Sequence, residues 1–167
     1  MRVFPFIASI LVAATALEAP PPLQLSHQLT LSVDIANGND TIALPGGTRF
    51  KISILGGILK DTNGTQIGTI ASGIGGEFGF LRDDGSFLLD PHLEIKLDAD
   101  GKWINYYGTG KGAATSAGPR GYVRPELETD SEAYKYLNLL FLVAQVKANA
   151  DVSHLDIEVF GGDPAEI

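Results

Sequence analysis

The sequence predicts an all-β chain of about nine or ten short strands with at most one short helix, packed as a sandwich or closed into a single antiparallel barrel. Three observations predict it. Apolar and polar residues alternate over short runs such as Leu23–Asp34 and Val152–Phe160, the pattern of a half-buried strand. Glycine (20) and proline (9) are abundant and gather between those runs, where turns belong. No long segment sustains the helical period of about 3.6 residues.

The 167 residues are enough for one domain with a real core. Residues 1–16 read as a secretory signal peptide: Arg2, an apolar run from Val3 to Ala13, then Ala14-Thr15-Ala16 as a cleavage site. The run is shorter than the ~20 residues a membrane span needs, and no later stretch qualifies. Residues 17–22, ending in three prolines, form a linker; the barrel occupies 23–162 and a short tail 163–167. The expected location is therefore the secretory pathway or the exterior. The sequons Asn39-Asp40-Thr41 and Asn63-Gly64-Thr65 make Asn39 and Asn63 candidate glycosylation sites.

The first strand, Leu23 to Asp34, puts His27 in a row with Leu25, Leu29 and Leu31. There His27 is either a core residue held by one hydrogen bond or a lumen-facing ligand contact. Strands follow at Arg49–Leu55, ended by Gly56-Gly57 where backbones can approach closely, and at Gln66–Ser72. Three strands then run from Gly73 to Gly112, joined by turns at Asp84-Gly85 and Asp100-Gly101. Thr109 to Tyr122 reads as a loop at a mouth; it lacks the spacing of a phosphate loop. Asp130 or Ser131 caps a short helix, Leu137–Val146 reads as a strand apolar on both faces, and a hairpin at Asn149-Ala150-Asp151 leads to the closing strand.

Two-residue loops in both central hairpins would place Glu77 opposite His92, Asp90 opposite Lys111 and Glu94 opposite Tyr107. Phe78, Phe80, Phe87, Leu89, Leu93, Ile95, Ile104 and Tyr106 then share an apolar face, and Glu77, Asp90, His92, Tyr107 and Lys111 a polar one. A four-residue loop preserves this sorting; a three-residue loop breaks it. The polar face is either a solvated exterior or a polar patch within the barrel, where acid, imidazole, phenol and ammonium could move protons.

The formal charge of −8 is scattered, which argues against nucleic acid and anionic membranes as partners. No cysteine and three histidines argue against a disulfide framework and a structural zinc site. No metal or other cofactor is expected.

An ordered set of motifs adds a resemblance. Gly56-Gly57, Gly75-Gly76-Glu77-Phe78, Arg82 to Gly85, Leu89 to Leu93, Asp98 to Gly101, Leu127-Glu128-Thr129, Tyr136-Leu137-Asn138 and the strand Asp156 to Phe160 occur in this order. The chain resembles the domain of unknown function 3237 family, small all-β barrels of bacteria and fungi. The likeness spans nearly the whole chain after the linker. It places Glu77-Phe78, Asp90, Arg124 and Asn138 at family motif positions, with His92 where members carry Arg. The resemblance implies a lipocalin-like closure. Through fungal secondary-metabolite members, it also implies cofactor-free dehydration or cycloaddition, including hetero-Diels–Alder coupling of quinone methides with terpenes.

Two functions follow as expectations. One is a cofactor-independent lyase or cyclase acting on an apolar polyketide or terpenoid. Glu77 or His92 would serve as acid–base, Tyr107 as hydrogen-bond donor, Lys111 or Arg124 as oxyanion stabiliser, and His27, Phe78, Asp90, Trp103 and Asn138 as substrate contacts. The other is a secreted carrier or structural barrel without chemistry. A homodimer is compatible with either.

Overall fold

A computed structural model describes residues 23–38 and 40–162. The expected signal peptide (1–16), linker (17–22) and tail (163–167), and the sequon residue Asn39, lie outside the described residues. The strands are β1 (Ser26–Ile35), β2 (Asp40–Leu44), β3 (Gly47–Lys51), β4 (Ile54–Lys60), β5 (Gln66–Ile70), β6 (Gly76–Glu77), β7 (Phe80–Arg82), β8 (Ser86–Leu89), β9 (Pro91–Leu97), β10 (Trp103–Ala113), β11 (Arg120–Thr129), β12 (Phe141–Ala148) and β13 (His154–Gly162). Among the described residues the one helical element is a 3-10 turn at Lys135–Leu139.

Eight strands close on themselves in the order β10-β11-β12-β13-β1-β4-β5-β9 and back to β10, every pairing antiparallel. The expected all-β barrel is therefore the fold. Its inner face carries Leu29, Leu31, Val33, Leu59, Ile95, Ile104, Tyr106 and Val159, all at most 2% exposed. Alternation in β1, β9 and β10 puts these residues inward. At one end Leu137 of the 3-10 turn, 1% exposed, enters the core.

The other end is shaped by β10, which is long enough to serve two partners. Its first half pairs with β9 and its second half with β8. From β8 the sheet continues through β7 to β3 and β2 as a flap. The flap rejoins the barrel where Ile52 and Glu77 exchange backbone hydrogen bonds of 2.9 and 3.0 Å. On the inner side of β10's second half, Gly108, Gly110 and Gly112 contribute no side chains.

Several local expectations are corrected. The Asp84-Gly85 hairpin has a three-residue loop: Leu81 pairs with Phe87 and Phe80 with Leu88. Gly85 takes φ 81°, but Asp84 is not among the positive-φ residues, so the turn is not type I′. The Asp84 carboxylate explains this. It accepts bonds from the Ser86 N–H at 2.9 Å and the Ser86 hydroxyl at 2.6 Å, an Asx turn that holds Asp84 in an ordinary conformation. Glu77 consequently pairs with Pro91, not His92. The second hairpin shifts by two residues, with Tyr107 opposite His92 and Trp103 opposite Lys96, so its faces stay as expected. Lys111 lies opposite Leu88 and Tyr122 rather than Asp90.

The long loop expected from Thr109 shrinks, because β10 runs to Ala113 and β11 starts at Arg120. The strand expected at Leu137–Val146 begins only at Phe141, after the 3-10 turn. No side chain caps that turn. Asp130 and Ser131 serve elsewhere: Ser131 donates its hydroxyl to Asp100 at 2.7 Å. Arg49–Leu55 is split between β3 and β4, and Gly56-Gly57 lie within β4 rather than ending it. The close approach expected there is present, since a Cβ on Gly57 would lie 2.2 Å from the Ser32 carbonyl oxygen.

Candidate functional site

The three-residue loop turns Glu77 inward. Its neighbours on that face are Pro91, Leu89 and Phe87, and together they line a cavity of about 230 Å³ at the flap end of the barrel. The opposite walls come from β11, β12 and β13 through Val123, Val146, Ala148, Leu155 and Ile157, and the roof from Phe50, Ile52 and Leu81. Only Glu77 and Arg120 among the lining residues carry ionisable side chains.

Glu77 is held at both levels. Its backbone is bonded to Ile52, and its Oε1 accepts the Asp90 N–H at 2.7 Å. Burial raises its carboxyl from an ordinary 4.5 to about 7; the Asp90 N–H opposes this and the Asp90 charge adds to it. The acid is thus poised near neutrality, where proton donation and proton acceptance are both accessible. In the core the Tyr106 hydroxyl is buried with no hydrogen-bond partner among the described residues. Burial first, then the Glu77 charge, pushes that phenol's pKa up and keeps it a neutral donor.

Arg120 closes the rim. Its Nη1 donates to the carbonyls of Pro119, at 3.0 Å, and of Ala148, and its Nη2 to Ala117 at 3.1 Å. Val152, also at the rim, holds φ 54°, a left-handed conformation unusual for a β-branched residue.

The remaining site candidates lie outside this cavity; Tyr107, Arg124 and Asn138 share a second, open pocket of about 480 Å³ with Glu126, Glu128 and Phe141. His92 and Tyr107 are neighbours on the outer face with rings 6.4 Å apart, and His92 contacts Phe78 edge-on at 5.7 Å. His92 also pairs with Asp90 at 3.4 Å, both about half exposed; such a pair contributes about 1 kcal/mol at most. Tyr107 donates to Glu126 at 2.9 Å and Glu128 at 3.3 Å. The bond to Glu126 leads the causes that push its phenol up to about 12. Arg124 pairs with Glu126 at 2.9 Å. Lys111 is exposed, and Trp103 is 45% exposed. The polar face is therefore the barrel's exterior. It gathers Asp90, His92 and Tyr107 but excludes Glu77.

Phe78 and Phe80, expected in the core, follow the shifted register outward. There they lie beneath the Lys51 ammonium at 5.7 Å and the Arg49 guanidinium at 5.5 Å. His27 is also outside. A bulge between His27 and Leu29 reverses the alternation of β1, so His27 meets Phe160 edge-on at 5.6 Å and Thr30 at 3.0 Å. Asn138 is bonded at 3.0 and 2.9 Å to the backbone N–H and carbonyl of Thr129, fastening the 3-10 turn to β11. Asn63 sits exposed in the turn after β4, its N–H donating to Asp61 at 2.9 Å.

Sequence reasoning missed one residue of the cavity, Arg120, and the buried hydroxyl of the core residue Tyr106. Tyr106 reads as plain core, and Arg120 lies in a glycine-rich stretch whose mouth position gives no hint of a cation aimed at a lumen. It also missed a Ser-His-Asp array on the outer face. Ser32 Oγ lies 3.1 Å from His154 Nε2, and Asp34 Oδ1 lies 2.7 Å from Nδ1. Asp156 also approaches Nε2, at 3.5 Å. Ser32 is mid-strand between β13 and β4, where the ladder engages the backbone N–H groups that an oxyanion hole would need. The array therefore reads as a cross-strand polar ladder.

No protein-family profile and no curated protein sequence matches the chain. Solved structures match its shape. It is similar to a conserved protein of unknown function from Rhodopseudomonas palustris, with TM-score 0.73 and 21% identity over 84% of this chain and 98% of that one. A β-barrel-like protein from Acinetobacter baumannii matches with TM-score 0.73 and 19% identity over 86% and 98%. An enzyme from Penicillium herquei matches with TM-score 0.63 and 20% identity over 86% and 98%. At these identities the likeness establishes a shared barrel fold, and one bearer of that fold is a fungal enzyme.

Proposed function

We propose that the protein is a cofactor-independent lyase or cyclase that binds a compact apolar polyketide or terpenoid in the flap-end cavity and acts on it by proton transfer through Glu77. The observation that carries this reading is one buried carboxyl, raised to about 7, in a largely apolar chamber whose other ionisable lining residue is Arg120 at the rim. In a dehydration, the protonated Glu77 gives its proton to the leaving hydroxyl as the C–O bond breaks. The resulting carboxylate then takes a proton from the adjacent carbon as the double bond forms. Water leaves and the acid is restored. A cycloaddition of the unsaturated product needs only orientation, worth ~7–11 kcal/mol in favourable cases.

A chamber of about 230 Å³ favours one folded reactant over two side by side. The ordered motifs that resemble the domain of unknown function 3237 family and the fungal enzyme among the structural neighbours support the same reading. Secretion and glycosylation at Asn63 belong to the proposal as well, on the strength of the leader and the sequon.

The test is incubation of the purified protein with metabolite extracts of the producing organism, scored for new products. Glu77→Gln should reduce turnover at least ~100-fold, the low end for a general acid–base group. Wild-type kcat should fall as pH rises through about 7, because the acid form is the reactive one. Undiminished turnover in Glu77→Gln overturns the mechanism. The second reading, a carrier, draws on the apolar walls; it predicts a ligand that is retained and recovered unchanged.

A further inference from the structure

We infer that the ligand of the flap-end cavity is an apolar acid whose carboxylate docks on Arg120. This rests on the cavity reading above and adds the chemical class of what enters it.

The guanidinium is placed before any ligand arrives. Three of its N–H groups are taken by the carbonyls of Ala117, Pro119 and Ala148, which fix the plane at the rim. The Nε–H and the second Nη2–H are left over. These two remaining donors are what the guanidinium has left to offer the two oxygens of a carboxylate.

Arg120 also lacks a counter-ion. Among the described residues no carboxylate lies within 4 Å of Arg120; Arg49, Lys51, Lys60, Arg82, Lys96 and Lys111 are also that far from any acid, but of these cations Arg120 alone lines the cavity. In a chain with 20 acidic and 12 basic residues, an unpaired cation facing an apolar chamber marks a place for an anion. The low-dielectric surroundings strengthen that attraction relative to open water. The walls beside it, Val123, Val146 and Leu89, accept a hydrocarbon body, and Glu77 lies on the same lining to meet a hydroxyl or carbonyl on it.

The test is a matched pair of probes, para-tert-butylbenzoate and para-tert-butylbenzamide, titrated calorimetrically at about pH 6, where the benzoate is ionised. The wild type should bind the acid at least ~10-fold more tightly than the amide. Arg120→Gln should abolish that preference while keeping the amide affinity. Arg120→Lys keeps the charge without the guanidinium and should keep part of the preference, which guards against a folding artefact in Arg120→Gln. Equal affinities in the wild type, a preference that survives Arg120→Gln, or no binding of either probe overturns the inference. Equal affinities together with intact Glu77-dependent turnover overturn the Arg120 anchor alone. An intact acid preference with turnover indifferent to Glu77→Gln overturns the catalytic reading alone.

Discussion

Glu77→Gln should make the protein more stable, and only above acid pH. In the folded barrel the carboxyl is raised from 4.5 to about 7, chiefly by burial. Below about pH 4.5 both folded and unfolded chains hold the proton, and there is no penalty. Between the two values the unfolded chain releases it while the folded chain keeps it. The folded state then binds more protons, so stability falls as pH rises. Above about pH 7 the loss is complete. At about 1.4 kcal/mol per pH unit, it amounts to about 3 kcal/mol. Glutamine removes the charge, while its carbonyl oxygen can still accept the Asp90 N–H that Glu77 accepts at 2.7 Å. Denaturant melts of both proteins at about pH 4 and about pH 8 are the assay. The variant should match the wild type within about 0.5 kcal/mol at the lower pH and exceed it by about 3 kcal/mol at the higher. For a chain of this size that is roughly 6–12 °C in Tm. A difference that does not change with pH would refute the placement of Glu77 in the chamber.

Three further outcomes are expected. Tyr106→Phe should raise stability by about 1 kcal/mol or more in ligand-free protein, because it removes a buried hydroxyl without a partner; a thermal melt checks it, and a loss of similar size would reveal a hidden partner. Gly57→Ala should cost at least about 2 kcal/mol, since φ is 146° and a Cβ would lie 2.2 Å from the Ser32 oxygen; a melt indistinguishable from wild type would contradict the β1–β4 packing. His92→Ala and Tyr107→Phe should leave turnover within about threefold of wild type, because both side chains are on the solvated exterior; a loss of ~100-fold in either would move the chemistry outside the barrel.

Most of the architecture was legible because strand alternation is a local signal. The inward rows of β1, β9, β10 and β13 can be read directly from the sequence, and so can the positions of both Asp-Gly turns. What was not legible is loop length. An Asp-Gly pair suits a type I′ turn, where both residues take positive φ, and equally a longer turn where only glycine does. The choice fell to the Asp84 carboxylate, which captured Ser86, and to Asp100, whose oxygens accept from Lys102 and Ser131 at 3.1 and 2.7 Å. Ser131 is about thirty positions downstream, a tertiary partner that no local pattern announces. One residue of slip in the first hairpin moved Glu77 from the exterior to the chamber and Phe78 the other way. The bulge in β1 did the same to His27. Glu77, Phe78 and His27 thus changed sides of the wall, while His92 and Tyr107 kept the face that alternation assigns them.

The seam between flap and barrel has a mechanical meaning. The eight closed strands need nothing from β2, β3, β7 and β8 to complete their ring. The flap is attached along four residue pairs between β8 and β10 and at the Ile52–Glu77 rung. That second attachment is the backbone of the acid itself. The backbone rung that pins the flap is thus also the one that seats the carboxyl, so any displacement of the flap at this rung displaces Glu77 with it.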